Sequence, residues 1–136
     1  MSCQGKGTTR WAAPELFRFD ESLITPSTRS DVYSLGSTML QVCAISSTSL
    51  FHFVNYEQIL TGDIPYHYIH REEQVVLAVG TRLQHKRPAQ TAVTDDRWHF
   101  IEWCWIPIDG AKPRPSSDEI VRFTGKDLAE NNASTV

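Results

Sequence analysis

Positive charge is neither abundant nor gathered in this sequence. Lys and Arg number 13 against 16 Asp and Glu, the net charge is -3, and no basic stripe or run occurs. No nucleic-acid partner is therefore expected, because its electrostatic footprint is missing. Cysteine is scarce too. Cys3, Cys43 and Cys104 are scattered and odd in number, the pattern of reduced thiols in an intracellular protein rather than of a disulfide framework. A cytoplasmic location is expected. Met1 to Thr9 hold Gly, Lys and polar residues without an apolar run, so no secretory leader is expected. The Asn132-Ala133-Ser134 triplet then carries no meaning as a glycosylation acceptor. Charge disappears altogether from Val32 to Tyr56, between Asp31 and Glu57. The gap is long enough for a bilayer. However, Ser34, Ser37, Thr38, Gln41, the Ser46 to Ser49 run and His52 dilute it, and no membrane span is expected.

What remains is ordinary globular material. The 136 residues are 40% hydrophobic and 21% charged, with four Trp and six Phe, enough for the core of one domain and too little for two. Pro14 and Glu15 suit the first turn of a short helix reaching about Phe19. Ser30-Asp31 is expected to open a second helix to Gln41, with Val32, Leu35, Met39 and Leu40 as its apolar positions. With few charges on any face, it is expected to be a buried helix rather than a surface one. A third helix spans Arg71 to Val79, with Val75, Val76 and Val79 on one side. A fourth, capped by Thr94 or Asp95, runs from Asp96 to Trp105 with Trp98, Ile101 and Trp105 on one face. Ser116 or Ser117 caps a fifth, whose apolar residues are Ile120, Val121 and Phe123 and whose end is Gly125. No strand pattern and no repeat occurs. The fold class is all-α.

Candidate chemistry is thin. Gly5-Lys6-Gly7-Thr8 does not have the spacing of a phosphate-binding loop. His67 and His70 could share a helix face, but no third ligand lies at metal spacing, and core or surface roles are favoured. Asp95, Asp96 and His99 read as helix-start charges beside a half-exposed His, and Cys104 between two Trp reads as core. No catalytic residue and no metal ligand is assigned.

Four segments, in order, resemble the eukaryotic protein kinase domain. Gly7-Thr8-Thr9-Arg10-Trp11-Ala12-Ala13-Pro14-Glu15 resembles the end of an activation segment, with its Ala-Pro-Glu triplet. Ser30-Asp31-Val32-Tyr33-Ser34-Leu35-Gly36 resembles the opening of the long buried helix of the large, C-terminal lobe. Leu60-Thr61-Gly62-Asp63-Ile64-Pro65-Tyr66 resembles the step before the next helix. Cys104-Trp105 with Pro107, then Arg114-Pro115-Ser116, resembles the segment closing the domain. Arg10-Trp11 and Cys104-Trp105 resemble the tyrosine-kinase-like branch, whose members mostly phosphorylate Ser and Thr.

The resemblance implies that residues 1–125 are a partial kinase domain, the second half of the large lobe, followed by a disordered tail at 126–136. It implies a buried ion pair between Glu15 and Arg114. It also implies that Asp31 accepts backbone N–H groups of the catalytic loop, and that Thr8 and Trp11 line the groove beside the phosphoacceptor of a protein substrate. ATP and Mg are the family's cofactors, but their sites are absent here. No Gly-rich loop, phosphate-pairing Lys, His-Arg-Asp loop or Asp-Phe-Gly occurs, and phosphoryl transfer rests on those parts. The chain alone is expected to be inactive. The alternative is a non-catalytic helical interaction module. With no preceding segment to hold it, Met1 to Arg10 is expected to be loose, and the missing N-terminal half would leave apolar surface prone to aggregation. Residues 42–58 interrupt the family pattern. Removing them joins Met39-Leu40-Gln41 to Ile59-Leu60-Thr61-Gly62, so they read as an irregular insertion or a retained intron.

Overall fold

Hydroxyl side chains set where most of the helices begin. In a computed structural model describing residues 9–17, 26–46, 64–87 and 93–134, Ser27 and Ser30 exchange hydrogen bonds. The Ser27 N–H donates to Ser30 Oγ at 2.7 Å and the Ser30 N–H to Ser27 Oγ at 3.3 Å. This is a capping box with Ser in the usual Glu position. It starts α1 at Thr28, ahead of the expected Ser30-Asp31 opening, and α1 continues to Ser46. The helix thus enters the segment read as an insertion, while 47–63 lies outside the described residues.

After a turn at 65–68, α2 spans Glu72–Gly80, with Glu72 and Glu73 in its first turn. Thr94 Oγ1 accepts the Arg97 N–H at 3.3 Å and opens α3, Asp95–Cys104. Ser116 and Glu119 form a second capping box, N–H to Oε2 at 2.8 Å and N–H to Oγ at 3.4 Å, opening α4, Ser117–Ser134. The Ser116 N–H holds the Glu119 carboxyl below the usual carboxylate range. Ahead of α1 lie two 3-10 turns, Thr9–Trp11 and Pro14–Phe17. The described residues are all helical or irregular, with no strand.

Two expectations about helix extent are corrected. Gly125 does not end α4, and residues 126–134 are not a disordered tail. No glycine among the described residues has a positive φ, so Gly125 makes no left-handed stop. Contacts on both sides carry the helix through it. Phe123 stacks on Phe100 at 3.9 Å between ring centroids, and Arg97 grips Asp127 with two bonds of 2.7 and 2.9 Å. Those contacts outweigh the cost of an interior Gly, about 1 kcal/mol.

The core forms where α1 crosses α3. The buried positions of α1 are Ser30, Tyr33, Gly36, Ser37 and Leu40, the last four an i, i+3, i+4, i+7 stripe. They are offset from the expected Val32, Leu35 and Met39, which are only half-buried, and Asp31 and Thr38 are exposed. α1 is therefore buried along one stripe, not all round. Its stripe is set by close approach rather than by apolarity. A Cβ on Gly36 would lie 2.7 Å from Cys104 Cβ, so only glycine lets the two helices meet there. Leu40 then packs with Val93, Trp98 and Ile101, as expected for the α3 face. Buried Ser37 accepts the Trp105 indole N–H at 3.1 Å. A second cluster joins Tyr66 to Val75, Ala78 and Val79 of α2, with Phe17 against it. On α4 the apolar expectation fails at Val121, which is 69% exposed.

Candidate functional site

Arg114 is the hinge of the architecture. Pro113 and Pro115 flank it in the extended entry to α4, which directs its side chain inward, where it is 2% exposed. Its guanidinium donates to Glu15 Oε1 at 2.6 Å and Oε2 at 3.0 Å, across 99 residues of sequence. It also donates to the carbonyls of Arg29 at 2.7 Å and Ile106 at 2.8 Å. The fork geometry suits arginine and not lysine. The Tyr33 ring lies 5.1 Å from the guanidinium carbon, a cation–π contact. Burial raises the Tyr33 phenol pKa. One side chain thus ties the second 3-10 turn, the start of α1, the end of α3 and the entry to α4.

Arg10 plays the same part for the first turn. It is 8% exposed. Its Nη1 donates to the carbonyls of Pro65 at 3.1 Å and Tyr66 at 2.8 Å. Its Nη2 donates to the Ile69 carbonyl at 2.9 Å, and two bonds of 2.8 and 3.1 Å reach Glu72 Oε1. Thr9 and Arg10 are therefore held, against the expectation that Met1 to Arg10 is loose; Met1 to Thr8 lie outside the described residues. Sequence reasoning missed this role for Arg10 because its partners are mainly backbone carbonyls, which leave no trace in residue type or spacing.

Trp11 donates its indole N–H to Gln41 Oε1 at 3.1 Å, pinning the same turn to α1. Asp31 is exposed, and no hydrogen bond reaches its carboxylate among the described residues. Thr8, the other proposed groove residue, falls outside them. Cys104 is fully buried and burial pushes its thiol pKa up to about 12, so it is core and not a nucleophile at neutral pH. Among the described residues no three His, Cys, Asp or Glu side chains are placed to hold a metal. No described helix is long and apolar enough to cross a membrane.

No family model, curated protein or solved structure matches this chain. Its geometry stands on its own.

The other feature unmarked by sequence is His85. It follows α2 in extended backbone and is 7% exposed. Its ring lies between Tyr66, 4.1 Å away, and Trp105, 4.4 Å away. Tyr66 reaches this position with φ at +58°, rare for a bulky residue, and its hydroxyl donates to the Leu83 carbonyl at 2.8 Å. Burial lowers the His85 pKa to about 4, so the ring is neutral at pH 7. His85 Nε2 is buried without a hydrogen-bond partner. Alongside lies a cavity of about 140 Å³, walled by Tyr33, His85, Trp98 and Trp105 with the Glu15–Arg114 pair.

Proposed function

We propose that this chain is the later part of a protein kinase large lobe, from the end of the activation segment to the last helix. The intact family moves phosphate from ATP to protein hydroxyls, mostly Ser and Thr in the tyrosine-kinase-like branch. The observation that carries the reading is the Glu15–Arg114 pair, buried and bidentate at 2.6 and 3.0 Å. It joins the Ala-Pro-Glu triplet to the Arg-Pro-Ser segment, the two ends of the motif series. A charge pair across 99 residues fixes how two distant segments meet, which helical periodicity alone leaves open.

On this reading Arg10 and Trp11 hold the floor of the substrate groove by latching the first turn to α2 and α1. Asp31 offers an exposed carboxylate to backbone N–H groups of a catalytic loop outside this chain. ATP and Mg have no fit here, because the residues that would bind them do not occur in the sequence. No catalytic step is assigned to the chain itself.

The decisive experiment replaces the matching part of an active kinase of that branch with residues 7–125, with and without residues 42–58. A soluble chimera that binds Mg-ATP and phosphorylates a protein substrate is expected at least for the shorter graft. If both grafts are insoluble while a graft from another kinase of the branch works, the reading is wrong. The second reading, a non-catalytic interaction module, is favoured by exposed Leu77, Val121 and Leu128, at 67%, 69% and 63%. It gains if the chain folds as a stable monomer and the chimeras fail.

A further inference from the structure

We infer that the cavity beside His85 binds a small, neutral, planar heteroaromatic molecule that carries an N–H donor. The inference is independent of the kinase reading. The cavity volume of about 140 Å³ is that of a one- or two-ring compound; an apolar void of about 150 Å³ stays dry and takes up benzene. Three aromatic walls, Tyr33, Trp98 and Trp105, favour a flat guest by stacking.

The polar groups select its chemistry. Three donors on the wall are already committed: Arg114 to Glu15, Arg82 to Asp109 at 2.9 Å, and the Trp105 N–H to Ser37, while the Gln84 amide and the Trp98 N–H also line it. Each cation is matched by an anion, so an anionic guest gains little. Apart from the Glu15 carboxylate, which Arg114 engages, the wall offers an uncommitted acceptor. His85 Nε2 has no partner, and among the described residues stacking alone holds the imidazole, so the ring can turn to present a nitrogen to the cavity. A neutral imidazole at pH 7 accepts an N–H, and satisfying a buried orphan acceptor favours a donor-bearing guest over its isostere. Glu102, exposed on the same wall, adds a second acceptor.

The test uses the full chain with indole and with benzofuran, which has the same shape but no N–H. In ¹⁵N-resolved NMR titrations, indole is expected to move the Trp98 and Trp105 indole signals saturably. Trp103, whose N–H is bonded to the Pro113 carbonyl at 2.9 Å away from the cavity, should not move. Benzofuran should bind about fivefold more weakly, the discrimination expected of one hydrogen bond. In His85→Phe the two should bind within twofold of each other. Ile108→Trp, which fills the cavity from a half-buried wall position, should abolish both and serves if His85→Phe does not fold. Absence of saturable shifts at several millimolar indole, equal movement of Trp103, or equal affinity for the two probes in the unsubstituted chain overturns the inference.

Discussion

Replacing Arg114 with Ala tests the architecture most directly. The substitution removes a side chain 2% exposed and four hydrogen bonds at once. It leaves the Glu15 carboxylate, 14% exposed, without its counter-charge, and the Arg29 and Ile106 carbonyls without their donor. Breaking one side of a buried pair costs about 3–5 kcal/mol, a large share of the roughly 5–15 kcal/mol that holds a domain together. Urea unfolding followed by Trp fluorescence should lower the midpoint by about 2 M for a slope near 2 kcal/mol/M. Glu15→Leu should cost a similar amount. The double variant Glu15→Leu/Arg114→Met should recover most of the loss, because the desolvation penalty goes with both charges. The reasoning is refuted if Arg114→Ala costs under about 1 kcal/mol, or if the two single losses add within about 0.5 kcal/mol.

Three further outcomes follow from the same geometry. Gly36→Ala should destabilise by about 1–3 kcal/mol despite alanine's better helix propensity, because the new Cβ would lie 2.7 Å from Cys104 Cβ; an unchanged urea midpoint would contradict the close approach of α1 and α3. His85 has a folded pKa of about 4 against 6.5 unfolded, so between those values the unfolded chain binds a proton that the folded chain refuses. Stability is then full above pH 6.5 and falls by about 3 kcal/mol as pH drops through 4, and His85→Phe should flatten that part of the profile measured by urea midpoints from pH 7 to 4; identical profiles would refute the assignment. Arg10→Ala should cost about 2–3 kcal/mol by orphaning the Pro65, Tyr66 and Ile69 carbonyls, and Arg10→Lys should not rescue it, since an ammonium lacks the fork; full rescue by Lys would show that charge alone matters.

Helix existence was legible because it is local. The apolar spacing of Val75 and Val79 and of Trp98 and Ile101, and the Thr94 and Ser116 hydroxyls ahead of their helices, are written within a few residues of where they act. The same locality misled where a residue's usual habit was overridden. Gly125 reads as a stop, yet the Phe100–Phe123 stack and the Arg97–Asp127 pair carry α4 past it. Val32 and Leu35 read as core, yet Gly36 and Ser37 form the buried contact, because approach distance rather than apolarity decides which face meets α3.

By itself, the sequence determined the all-helical class, the approximate position of each helix, the missing ATP-binding motifs, and, through resemblance, the pairing of Glu15 with Arg114. Only the tertiary structure decided which face of α1 is buried, that Arg10 is anchored, and that His85 is enclosed between Tyr66 and Trp105. Those facts depend on partners 19 to 68 residues away, many of them backbone carbonyls or ring faces. Such groups are the same in every sequence until the fold brings them together.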